Sequence, residues 1–120
     1  MGWINSNKRQ RLYTLDGRCC AYCGDSEADG AMLSLDHILA RNLGGDNRAT
    51  NLITACLSCN SAKQDLTVRG WMAYLRAKGV DTTGMAARVR ALAARHARIE
   101  KRAKVGQAYA EVMINYLRSL

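Results

Sequence analysis

No proline occurs among the 120 residues, and histidine occurs only twice. Without proline, nothing in the chain locks φ and halts a helix outright, so glycine and the Asx residues must supply the punctuation. No apolar run approaches the ~20 residues that a membrane-spanning helix needs. The opening MGWINSNKRQ also lacks the apolar core of a secretion signal. A cytoplasmic protein is therefore expected. Internal repeats and low-complexity tracts are missing too. The length suits one domain with a modest core, of the kind that often recruits a metal or a partner for stability. An apolar fraction of 48% beside 23% charged residues is ordinary for a globular chain.

Acidic residues are scarce in one half only. Residues 1–65 balance seven basic against seven acidic side chains, whereas residues 66–120 hold eleven basic and three acidic, which is the whole net charge of +8. A basic half beside a neutral one fits a polyanionic partner, most simply nucleic acid. Charge alone fits a solubilising surface equally well.

The coarse organisation follows from periodicity. A short basic helix is expected over about Asn5 to Leu15, with Trp3, Ile4, Leu12 and Leu15 buried. A glycine-punctuated segment leads to a short strand, Met32 to Leu35, running into Asp36-His37. The sequence NLGGDNRAT is a loop by composition, NLITAC a second strand, and SCNSAKQD the start of a helix that Ser58 would cap. Beyond it a helix from Leu66 to Lys78 closes at Gly79, with Trp71, Met72, Tyr74 and Leu75 as its apolar positions. A long helix then begins near Met85, capped by Asp81 or Thr82. Its apolar stripe is Met85, Val89, Leu92, His96 and Ile99, which makes His96 a core residue. Its outer face carries Arg88, Arg90, Arg95, Arg98, Lys101, Arg102 and Lys104. Gly106 separates it from a last helix holding Tyr109, Val112, Met113, Tyr116, Leu117 and Leu120.

Four of the five cysteines form two CxxC pairs, Cys20/Cys23 and Cys56/Cys59, with 32 residues between them. Each CxxC turn brings two thiolates to one side, and two such turns close a tetrahedron around Zn²⁺ with Zn–S of ~2.3 Å. Cys20 is preferred to Cys19 because a Cys19–Cys23 spacing is wrong for a tight knuckle. Four thiolates leave the ion no open position, so this zinc is structural.

Between the pairs lie Asp36-His37-Ile38, Gly44-Gly45 and Asn51-Leu52, and Asn60 and Lys63 follow the second pair. From about Arg18 to Lys63 this order and spacing resembles the HNH endonuclease family, and its Asp-His…Asn…Asn variant is similar to the HNH domain of the RNA-guided CRISPR nucleases. The resemblance implies an α+β fold. A ββα-metal core over residues 1–65, stapled by the zinc, would be preceded by a short helix. A basic helical extension, residues 66–120, would pack on that core and contact DNA. It also implies metal-dependent hydrolysis of DNA phosphodiesters to 5′-phosphate and 3′-hydroxyl ends.

The site roles follow from that chemistry. A neutral imidazole can deprotonate water, a role assigned to His37. Asp36 and Asn60 would offer a carboxylate and an amide carbonyl to a catalytic divalent metal, since such an ion prefers hard oxygen ligands. By resemblance Asn51 orients His37 through its backbone or the loop. Lys63, Arg41 and Arg48 would touch the nucleic-acid backbone. Adjacent strand residues face opposite ways, so Asp36 and His37 share a site only where the strand ends or bends.

Asn60 stands where the family often has histidine, Gln64 where some relatives carry a further histidine, and Leu39-Ala40 where a proline is common. The amide shifts the expected metal to Mg²⁺ or Mn²⁺. The rival expectations are a non-catalytic zinc module that binds nucleic acid, and an adaptor in a phage packaging or restriction complex. A homodimer, or a phage or restriction partner protein, would fit the size of the chain.

Overall fold

The computed structural model describes the backbone of residues 3–103 and 107–120. The side chains of His96, Ile99, Lys101, Arg102, Tyr109 and Met113, and the whole of Lys104 and Gly106, lie outside the described residues. The core motif is an antiparallel pair, β1 (Leu33–His37) and β2 (Leu52–Cys56), followed without a linker by helix α2 (Leu57–Lys63). It is preceded by α1 (Ser6–Leu15) and followed by α3 (Val68–Ala77), α4 (Thr83–Ala103) and α5 (Gln107–Arg118). This is the expected ββα arrangement in an α+β chain.

The register pairs His37 with Leu52, Asp36 with Ile53 and Leu35 with Thr54. Alternation along each strand gives the ribbon two different faces. One face presents Leu33, Leu35 and Leu52 to Leu12 and Tyr13 of α1. The other presents Ile53 and Ala55 to a larger core that includes Tyr22, Trp71, Met72, Val89, Leu92 and Leu117. That larger core takes side chains from both halves of the chain, so the cysteine-bearing half and the helical half share one interior.

Capping explains where the helices start. Asn5 Oδ1 accepts the Asn7 amide at 2.8 Å, and Thr67 Oγ1 accepts the Gly70 amide at 3.0 Å. Helix α3 thus begins at Val68, not Leu66, which is exposed. Asp81 Oδ1 accepts the Thr83 amide at 2.9 Å just ahead of α4. The cap of α2 is Cys56, whose Sγ accepts the Cys59 amide at 3.4 Å; Ser58 lies exposed within the helix. A sulfur takes the place of the expected hydroxyl.

Several apolar expectations are corrected. Trp3 and Leu15 are exposed and Tyr13 is buried in their stead, because α1 turns its Leu12–Tyr13 edge to the sheet. Tyr74 is exposed and stacks on Trp71 from outside, at 5.8 Å between ring centroids. Val112 is exposed, while Ile114 and Leu117 carry the contact of α5.

Two arginines expected on the outer face of α4 turn inward. Arg88 donates to the carbonyls of Ala21 (3.1 Å) and Tyr22 (2.8 Å), and Arg95 pairs with Asp16 at 2.6 Å. Asp16 Oδ2 also accepts from the Thr54 amide (3.0 Å) and hydroxyl (2.7 Å), so one buried carboxylate ties α1, β2 and α4 together.

Candidate active site

The four thiols come together first. The Sγ atoms of Cys20, Cys23, Cys56 and Cys59 all lie within 4.8 Å of one another, and Cys23 and Cys56 are 3.8 Å apart. A tetrahedron with Zn–S of ~2.3 Å has S···S edges of about 3.8 Å, so the cluster fits the ion. Backbone amides point at the sulfurs as thiolates require: Tyr22 and Cys23 donate to Cys20, and Asp25 donates to Cys23. A hydrogen bond from Cys59 lowers the Cys20 thiol to about 4, while burial pushes Cys23 up to about 12. The thiols alone cannot all ionise, and a divalent cation is what would let them. Cys19 stays outside, its Sγ 3.5 Å from the Asp16 carbonyl oxygen.

This cluster is a staple near one end of the ribbon, and the site residues gather at the other. Asp36 and His37 end β1 and face opposite ways, yet both line one open cleft of about 340 Å³ together with Asn60, Arg41, Gln64 and Asp65. The strand's end makes this possible, because the chain turns away at Ile38.

Asp36 points toward the larger core. Lys63 Nζ, itself only 1% exposed, lies 2.9 Å from Asp36 Oδ2, and the Tyr22 hydroxyl donates to the same oxygen. Burial raises the Asp36 carboxyl above the usual range in spite of the ammonium, the hydroxyl and the nearby imidazole. Tyr22 is fully buried and is pushed well above its ordinary value, first by burial and then by Asp36, so it remains a donor. Lys63, expected at a phosphate, is turned inward onto the carboxylate and the His37 carbonyl (3.5 Å).

Asn60 approaches from α2. Its Nδ2 donates to Ser34 Oγ at 2.9 Å and to the Leu35 carbonyl at 3.2 Å, which leaves Oδ1 as an acceptor with no partner among the described residues. One carboxylate and one amide oxygen beside the same cleft are a hard donor set, suited to a divalent cation such as Mg²⁺.

His37 sits on the α1 face, half-buried. Its Nε2 lies 2.8 Å from Asn47 Oδ1, and its ring lies against Trp3 with centroids 4.8 Å apart. Asn51, completely buried, clamps the loop that follows: Oδ1 accepts the Leu39 amide (2.9 Å), and Nδ2 donates to the carbonyls of Leu39 (3.0 Å) and Asp46 (2.8 Å). Its own carbonyl accepts the Ile38 amide at 2.8 Å. The clamp needs a glycine, since a Cβ on Gly45 would sit 1.7 Å from the Leu39 oxygen. Arg41 is exposed and donates to Asn47 Oδ1 at 3.0 Å, and Arg48 pairs with Asp46 at 3.2 Å.

Sequence reasoning missed Tyr22, Asn47 and Trp3. Tyr22 sits inside a CxxC pair, where its type suggests nothing beyond packing. Asn47 belongs to a loop that composition marks only as polar. The apolar character of Trp3 points to the core, yet its ring is exposed and lies against His37.

Residues 20–66 match the family described as HNH endonuclease. This segment resembles an HNH domain. Every cysteine of the cluster, and Asp36, His37, Asn51, Asn60 and Lys63, fall inside it. The chain is also similar to the crystal structure of the Type II-C Cas9 enzyme from Actinomyces naeslundii, at 28% identity and a TM-score of 0.55. That similarity covers 74% of this chain and 9% of the Cas9 chain. No curated protein sequence matches. The match to the HNH endonuclease family and the Cas9 likeness support a nuclease-related or nucleic-acid-related function, and no helix among the described residues is long and apolar enough to cross a membrane.

Proposed function

We propose that the protein is a metal-dependent DNA endonuclease with His37 as its general base. The observation that carries this reading is the convergence of His37, Asp36 and Asn60 on one cleft, with an imidazole beside two hard oxygen donors. The chain's residues divide the work. His37 takes a proton from water, an effect worth ~10²–10⁴-fold in such reactions. Asp36 and Asn60 would hold Mg²⁺ or Mn²⁺, which supplies Lewis-acid stabilisation of the phosphoryl charge when bound. Asn51 keeps the loop after His37 in place. Arg41 and Arg48, on the loop, would meet the phosphate backbone, as would Lys63 once released from Asp36.

The four-cysteine site would hold structural zinc and brace residues 1–65 as the catalytic half. Residues 66–120 would add positive charge against the duplex backbone and little base reading, since such contacts position without specifying sequence. One site cuts one strand, so nicking is the expected elementary event.

The test uses supercoiled plasmid with zinc-loaded wild type and His37→Ala, in EDTA, Mg²⁺ and Mn²⁺. Nicking that requires the divalent ion and falls at least about 100-fold in His37→Ala supports the reading. Plasmid that the wild type binds and never cuts would favour a non-catalytic nucleic-acid-binding module.

A further inference from the structure

Asn47 makes three contacts that together fix which way its amide faces. Its Nδ2 donates to the Trp3 carbonyl at 3.4 Å, and its Oδ1 accepts from Arg41 Nη1 at 3.0 Å. A guanidinium only donates, so Arg41 identifies the oxygen independently of the histidine. The same oxygen lies 2.8 Å from His37 Nε2. An amide oxygen can only accept, so Nε2 carries the proton and Nδ1 keeps the lone pair. No other hydrogen bond to the ring occurs among the described residues. The Trp3 ring covers one side of the imidazole, and Lys8 Nζ holds the Asn47 carbonyl at 3.1 Å, anchoring the main chain from α1. The ring is thereby restrained both in tautomer and in rotation.

We propose that Asn47 is the positioning residue for the base: it fixes the Nε2–H form and the ring angle of His37, leaving Nδ1 to accept the proton. This rests on the nuclease reading above. The step balances simply. Nδ1 takes a proton from water, and the hydroxide oxygen forms the new P–O bond. The bond to the 3′ oxygen breaks, and that oxygen takes a proton from solvent. The imidazolium that results stays hydrogen-bonded through Nε2–H to Asn47 Oδ1, which accepts more strongly as the ring becomes charged. Arg41 shares that oxygen, so the loop arginine also holds the amide in place.

The experiment compares wild type, Asn47→Ala and Asn47→Asp, all zinc-loaded. Ring ¹⁵N shifts of His37, recorded in EDTA without DNA, report the tautomer apart from any catalysis. The wild type should show Nε2–H alone, with that proton protected enough from exchange to be observed. Asn47→Ala should give tautomer averaging and lose the proton signal, and Asn47→Asp, which still accepts, should restore both. The single-turnover nicking rate should fall about 10- to 100-fold in Asn47→Ala, as for a displaced catalytic group, while plasmid affinity in EDTA changes less than about twofold. A wild-type ring protonated on Nδ1 would overturn the proposal. So would a ring signature unchanged in Asn47→Ala, or a rate loss matched by an equal loss of DNA affinity or folding. A wild type that never nicks would sink the base assignment for His37, an outcome distinct from any of these shifts.

Discussion

Replacing Lys63 by methionine should show what the buried ammonium does. Lys63 and Asp36 have side chains exposed to only 1% and 5% and meet at 2.9 Å. Methionine keeps the length and helix preference of the stem, so the change removes the charge and little packing. What remains is a buried carboxylate whose Oδ2 keeps, among the described residues, the hydrogen bond from the Tyr22 hydroxyl. Breaking such a pair costs about 3–5 kcal/mol, and Asp36 relieves part of it by taking a proton that burial already favours. A loss near ~3 kcal/mol, or about 12 °C in Tm for a chain of this size, is expected in EDTA at neutral pH. A divalent cation on Asp36 would replace the missing charge. At a hundredfold excess over its Kd it recovers about 2.7 kcal/mol, and it should help the variant more than the wild type, where Lys63 competes for the carboxylate. The measurement is thermal unfolding of both proteins in EDTA and in Mg²⁺. A gap that stays the same in both media would refute this account of the site. The double variant Lys63→Met with Asp36→Asn removes both charges and should recover most of the loss.

Two further substitutions separate position from residue type. Cys20→Ser should abolish zinc binding and unfold the chain at least in part, since structural zinc contributes on the order of 10 kcal/mol to small modules; Cys19→Ser should keep one zinc per chain. Metal analysis with circular dichroism decides, and equal zinc loss in both would contradict the cluster. On the loop after His37, Gly45→Ala should destroy the proposed nicking, because its Cβ meets the Leu39 oxygen at 1.7 Å. Gly44→Ala should cost only about 1 kcal/mol of stability, from a φ of +98° in open space. Comparable losses in Tm and nicking for the two variants would show that the loop does not depend on the Asn51 clamp.

The strands, the thiol cluster and the helical second half were legible in the sequence because each follows from local spacing. The CxxC turns are local, and so is the alternation that ends in Asp36-His37. What stayed hidden depends on partners distant in the chain. Nothing near Lys63 in sequence shows that its ammonium turns onto Asp36, 27 residues earlier. Arg88 looks like a solvent-facing helix residue until the carbonyls of Ala21 and Tyr22 appear beneath it. Ser58 was the natural cap by residue type, but Cys56, which also belongs to the thiol cluster, stands at the turn, and the helix starts after it. Asn47 was invisible for a similar reason: its meaning comes from Trp3, Arg41 and His37 together.

Cys56 ends β2, caps α2 and belongs to the thiol cluster, with Cys59 and Asn60 following inside one helical turn. That stretch has no slack, so tolerance to insertion should differ sharply along the chain. An extra residue beyond Gly30 or near Gly44 can loop outward, where a side chain meets open space. One added between Cys59 and Asn60 turns the amide by about 100° around the helix axis and carries it away from Ser34 and Leu35. In a library of single-residue insertions, the silent segment from 56 to 60 would mark how closely the thiol cluster and the Asn60 amide are geared.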